Sequence, residues 1–219
     1  MNQQTIAQTQ GQSLDTNKVL RNTYALLGLS FIVSCVGAGA SMALGLSSIM
    51  GLVCTLIAFG LLFVVHKTAE SANGLIAMFA FTLFMGAGIG PMLTRYLMLP
   101  NGGELVFQAL GATALVFLAL SAYALSSKKD FSNIGGFLIT GLVLAIVAGI
   151  ANIFMQIPAL QLAISSAVVF IMSGFILYDT SRIIHGGEDN YIRAAIAMYL
   201  NLYNLFVNLL VLMGFASDD

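Results

Sequence analysis

The chain has 219 residues, of which 59% are hydrophobic and only 8% charged, with 8 Lys or Arg against 9 Asp or Glu. A soluble domain is about half apolar and about a quarter charged, so this chain lacks the polar groups needed to cover a water-facing surface. A soluble globular protein is excluded, and no nucleic-acid partner is expected.

Residues 1–17 are rich in Gln, Thr, Asn and Ser, which cannot bury a core, and predict a disordered tail. Beyond them, charge-free runs cover Asn22 to His66 (45 residues), Ser71 to Thr94 (24), Leu105 to Ser127 (23), Phe131 to Tyr178 (48) and Ala194 to Ser217 (24). A helix needs about 20 apolar residues to cross the hydrocarbon core, so the short runs hold one crossing each and the long ones two. Turn residues divide the long runs at Gly45-Leu46-Ser47-Ser48 and around Gln156-Ile157-Pro158. The expectation is an all-α membrane protein, a seven-transmembrane helix bundle over residues 18–219 with spans at about 24–44, 49–66, 74–94, 105–126, 133–155, 160–183 and 191–214. A membrane β-barrel requires segments of alternating polarity, and these runs do not alternate.

Placing the N-terminus in the cytoplasm puts Lys18, Arg21, Lys67, Lys128, Lys129, Arg182 and Arg193 on the inner side and leaves Arg95 alone outside. That asymmetry predicts a cytoplasmic N-terminus and, after an odd number of spans, a periplasmic C-terminus.

In the first span Gly37, Ser41 and Gly45 recur every four residues, a spacing that suits close helix packing. The third contains Gly86-Ala87-Gly88-Ile89-Gly90-Pro91. With no neighbouring strand this is no phosphate loop. Gly86 and Gly90 are expected to let a neighbouring backbone approach, and Pro91 to free a carbonyl and kink the helix. Cys35 and Cys54 both lie within spans, which supplies neither a disulfide framework nor a zinc site. No cofactor motif, metal-ligand spacing or nucleophile–base pair is present, so no enzymatic activity is expected.

The informative residues are polar groups that a membrane helix normally excludes. Asp179 sits a few residues before the inner end of the sixth span, where a lone carboxylate is a functional-site candidate. Arg182, three residues on, is one helical turn away and offers a local neutralising partner. In the seventh span Asn201, Asn204 and Asn208 share one helical face, which is expected to turn inward and to fasten helices together by hydrogen bonds. The second span ends at His66 on the same side as Asp179, so His66, Asp179 and Asn201 are candidates for one pH-sensitive polar cluster or ion latch.

The stretch Tyr178-Asp179, Ile184-His185-Gly186-Gly187-Glu188, Asn190-Tyr191-Ile192-Arg193 and Met198 to Phe206 resembles the end of the Bax inhibitor-1 (TMBIM) family. Phe79-Ala80-Phe81-Thr82, Gly90-Pro91-Met92 and Asn152-Ile153-Phe154 agree with it. Leu125 to Asp130 and Gly214 to Ser217 are similar to one bacterial branch of the family, that of a multi-pass inner-membrane protein that associates with the FtsH protease and modulates it. The resemblance implies two alternatives. One is a partner that restrains FtsH, alone or with its membrane regulators, within the lipid bilayer. The other is a pH-sensitive leak for calcium or another cation, in which two aspartates on the sixth and seventh helices share a proton and latch to an arginine on the second. Here those positions fall on Asp179, Asn201 and, at or beside it, His66, so a single carboxylate remains.

Overall fold

The computed structural model describes the backbone of residues 3–127 and 129–216, with side chains from residue 16 onward. Among the described residues every regular element is helical: α1 (Gln3–Ala43), α2 (Ser48–Thr68), α3 (Ala72–Leu97), α4 (Gly102–Ser126), α5 (Gly135–Met155), α6 (Pro158–Ile184) and α7 (Tyr191–Ala216), with a 3-10 turn at Ser132–Ile134. Seven of these segments are long and apolar enough to cross a membrane, the first counted from Thr16. Helical backbone extends from that span back to Gln3, into the segment whose composition predicts a disordered tail; an established helix propagates at little cost. The side chains of residues 1–15, and Asp218 and Asp219, lie outside the described residues.

Turn chemistry ends the helices where the sequence places breaks. Gly45 takes a left-handed φ of 62°, a conformation that costs glycine little. Ser47 then caps α2, its hydroxyl accepting the Met50 N–H at 3.3 Å. Gln156 closes α5 at φ 53° and Pro158 opens α6, a position where its missing N–H costs nothing. Asn152 stitches this turn: its carbonyl accepts the Gln156 N–H at 2.8 Å and its side-chain Oδ1 the Ile157 N–H at 3.1 Å.

Large apolar side chains point outward, among them Phe107, Phe137, Phe154 and Phe170, each more than three-quarters exposed. In water such surface would drive aggregation; in a bilayer it meets lipid.

The chain forms two compact units. The first comprises residues 1–92 and 182–199. In it α3 packs closely on α1 and α2 at their glycines. A Cβ at Gly86 would run into the Ser34 carbonyl, one at Gly37 into the Leu83 carbonyl, and one at Gly90 into the Ser41 side chain. On the α2 side, a Cβ at Gly51 would lie 2.9 Å from both the Gly88 carbonyl and the Pro91 ring. Gly86 and Gly90 of α3 thus face Ser34 and Ser41 of α1, and Pro91 lies inside α3 beside Gly51. Tyr199, fully buried on α7, lies beside Phe31 at 5.1 Å and edge-on to Phe81 at 5.6 Å, and its hydroxyl shares a 2.8 Å hydrogen bond with Ser34.

The second unit comprises residues 93–181 and 200–219. Here the Tyr178 ring of α6 lies 2.6 Å from where a Cβ on Gly135 of α5 would stand. Ser181 joins α6 to the loop before α5, its hydroxyl donating to Asp130 at 3.2 Å and accepting the Phe131 N–H at 2.9 Å.

Candidate functional site

Asp179 lies in α6 five residues before its end at Ile184, roughly 7.5 Å at the α-helical rise. Only 9% of it is exposed, and 7% of Asn201 on α7. The Asn201 amide Nδ2 donates to Asp179 Oδ2 at 2.7 Å, at the short end of the range for an N–H···O bond. A carboxylate can only accept, so it selects the amide nitrogen of Asn201 as its neighbour. This bond joins α6 to α7 inside the second unit and gives the buried carboxylate a directed donor.

The other two amides of the α7 face behave differently from the sequence expectation. Asn204 Nδ2 donates to the Leu200 carbonyl at 2.8 Å, and Asn208 Nδ2 to the Asn204 carbonyl at 2.8 Å. Both amides fold back four residues along their own helix, and no bridge to a second helix uses them. A short polar side chain in an apolar setting satisfies itself at the nearest carbonyl when no partner is aimed at it. Asn201 differs because Asp179 stands opposite.

His66 is exposed on α2, and its Nδ1 bonds the Leu62 carbonyl at 2.9 Å, one turn back. Its hydrogen bond therefore serves its own helix, unlike the Asp179–Asn201 bond. The Arg182 guanidinium reaches into the loop after α6, donating to the Gly187 carbonyl at 2.7 Å and standing 3.7 Å from Glu188.

That loop and the start of α7 form a second polar site, within the first unit, that the sequence reading passes over. Arg193 faces three carboxylates with its three nitrogens: Nε to Glu188 at 3.2 Å, Nη2 to Asp189 at 3.3 Å and Nη1 to Glu70 at 3.7 Å. Asn190 caps α7, its Oδ1 accepting the N–H groups of Ile192 and Arg193 at 2.9 and 3.1 Å, while its Nδ2 donates to the Ala69 carbonyl at 2.9 Å. Asn directly before a predicted span is a legible cap; a tie to a residue more than a hundred positions away leaves no local signal.

A family model described as inhibitor of apoptosis-promoting Bax1 matches residues 16–218, nearly the whole chain. The chain belongs to the Bax inhibitor-1 family. Among its curated relatives is YccA of Escherichia coli strain K12, named modulator of FtsH protease, 51% identical over 207 residues that cover 94% of each chain. The protein of E. coli O6:H1 strain CFT073 named inner membrane protein YccA matches to the same extent. An uncharacterised membrane protein of Vibrio cholerae is 50% identical over 209 residues, 95% of this chain and 94% of its own.

Two facing carboxyls can hold one proton between them; a carboxyl facing a carboxamide cannot, because the amide N–H is a fixed donor that does not ionise. The observed pair fastens two helices and presents one titratable group. Among the described residues no cluster of three or more His, Cys, Asp or Glu side chains is arranged to hold a metal ion.

Proposed function

We propose that this protein is a multi-pass component of the bacterial inner membrane that binds the FtsH protease and restrains its action on other membrane proteins. Its N-terminus lies in the cytoplasm and its C-terminus in the periplasm, following the excess of Lys and Arg on one side. The observation that carries this reading is 51% identity across 94% of the chain with a relative named as a modulator of that protease. The role asks for lipid-embedded helices and an end that an ATP-driven protease can grip, rather than for a catalytic group. Residues 1–17, polar and nearly without large apolar side chains, are the proposed grip.

The test is cross-linking of the tagged full-length chain in native membranes. FtsH is expected as the major cross-linked partner, retained with Asp179→Asn and reduced when residues 2–15 are deleted. Recovery of FtsH no better than with an unrelated seven-span protein would refute it.

The competing reading, a pH-sensitive calcium or cation leak, draws on the buried Asp179. The lone carboxylate bonded to Asn201 supports it less than a carboxyl pair would, and calcium flux in liposomes that disappears with Asp179→Asn would revive it.

A further inference from the structure

Two connections in the first unit are distant in sequence and joined in space. The turn between α2 and α3 supplies Glu70 and the Ala69 carbonyl, and the loop between α6 and α7 supplies Glu188, Asp189 and Asn190. Around the junction lies a pocket of about 610 Å³ lined by Glu70, Ser71, Leu75, Asp189, Asn190 and Arg193, among others.

The two ties across this junction have different physical characters. Arg193–Glu70 spans 3.7 Å between a guanidinium one-third exposed and a carboxylate 85% exposed. Water competes for both groups, so such a pair contributes about 0.2–1 kcal/mol and is screened as salt shortens the Debye length from ~10 Å at 0.1 M to ~3 Å at 1 M. Asn190–Ala69 is a neutral, half-buried hydrogen bond of 2.9 Å, to which screening does not apply. Arg193 is meanwhile anchored from its own side by Glu188, whose side chain is only 14% exposed and which also faces Arg182 and accepts the Asn190 N–H at 3.1 Å. The α6–α7 loop is thus internally braced as one piece.

We propose that Asn190 and Arg193 form a two-armed clasp that holds the braced α6–α7 loop on the α2–α3 turn, with one arm released by salt and the other indifferent to it. The clasp sets how far the pocket between the two connections is open. Nothing in it depends on the identity of a protease partner, so the two proposals fail separately.

Ala69 reports the junction, because it is 3% exposed and its carbonyl is one of the tied atoms. The experiment places Ala69→Cys in the full chain with Cys35→Ala and Cys54→Ala, and follows alkylation by a water-soluble maleimide in lipid nanodiscs. Glu70→Gln removes only the ionic arm and is expected to speed labelling about 1.4- to fivefold, the factor that corresponds to an exposed ion pair. Asn190→Asp keeps the oxygen that caps α7 and removes the amide donor, and is expected to speed labelling by a similar factor. Raising salt from 0.1 to 1 M is expected to accelerate the parent and Asn190→Asp, and to leave Glu70→Gln nearly unchanged. Unchanged rates in both variants, or equal salt acceleration in Glu70→Gln and the parent, would overturn the clasp.

Discussion

Removing the Asn201 amide should cost the protein the tie between α6 and α7, and the size of that loss follows from the geometry. The donor stands 2.7 Å from Asp179 Oδ2, and both residues are more than nine-tenths buried, so water cannot stand in for the lost partner. In water-soluble proteins a hydrogen bond to a charged group is worth about 1.5–3 kcal/mol. Interhelical bonds within membranes average ~0.6 kcal/mol with a maximum near 1.7, because the denatured helices also find partners. A short, buried bond belongs at the upper end of the membrane range. The expected coupling is therefore about 1.5 kcal/mol, roughly a tenfold change in the unfolding equilibrium. The single variants alone do not report it, since Asp179→Ala also removes a polar group that is costly to bury. A double-mutant cycle over Asp179→Ala and Asn201→Ala, read by reversible unfolding in mixed detergent micelles, isolates the pairwise contribution. Coupling below about 0.3 kcal/mol, the level at which independent sites add, would refute the assignment of this bond as the α6–α7 fastener.

In the same assay, Gly86→Ala should destabilise by about 1–3 kcal/mol, because the new methyl meets the Ser34 backbone. Gly28→Ala, with open space around it, should be neutral or stabilising by up to about 1 kcal/mol from helix propensity alone. Equal effects at the two glycines would contradict the α1–α3 packing. Tyr199→Phe should cost about 1 kcal/mol through the lost bond to Ser34, and the double change with Ser34→Ala should recover part of it. In liposomes Asn201→Asp, which supplies a second carboxyl opposite Asp179, should introduce a pH-dependent calcium flux larger than that of the parent chain. Identical flux at every pH would show that Asn201 is not what separates this chain from a leak.

The spans are legible because a bilayer imposes one requirement, some 20 residues without charge, that composition alone can meet or fail. The turns at Gly45 and Gln156-Ile157-Pro158 are legible because few residues adopt the backbone they need. Gly86 and Gly90 announce a close approach, although spacing alone does not say that Ser34 and Ser41 of α1 are what approach. At the site, Asp179 stands out by its cost in a membrane, yet helical periodicity overstates its neighbours. It puts Asn201, Asn204 and Asn208 on one face, but whether an amide crosses to another helix depends on what stands opposite, and only Asn201 meets a carboxylate. The Arg193 hub escaped the sequence reading for a related reason: its tie to Glu70 depends on tertiary proximity, which no local pattern encodes.

The back-folded amides of Asn204 and Asn208 bear on how the end of α7 can turn about its own axis. Three amides bridging to a neighbour would resist rotation as three rungs of a ladder, each broken at a separate cost. Two of the three instead travel with the helix, their bonds intact at any angle, so of these three amides Asn201 is the one that loses its partner when the segment turns against α6. Within the asparagine face of α7, Asn201 is thus the pin whose bond depends on the azimuth of the helix, while Asn204 and Asn208 leave that angle free.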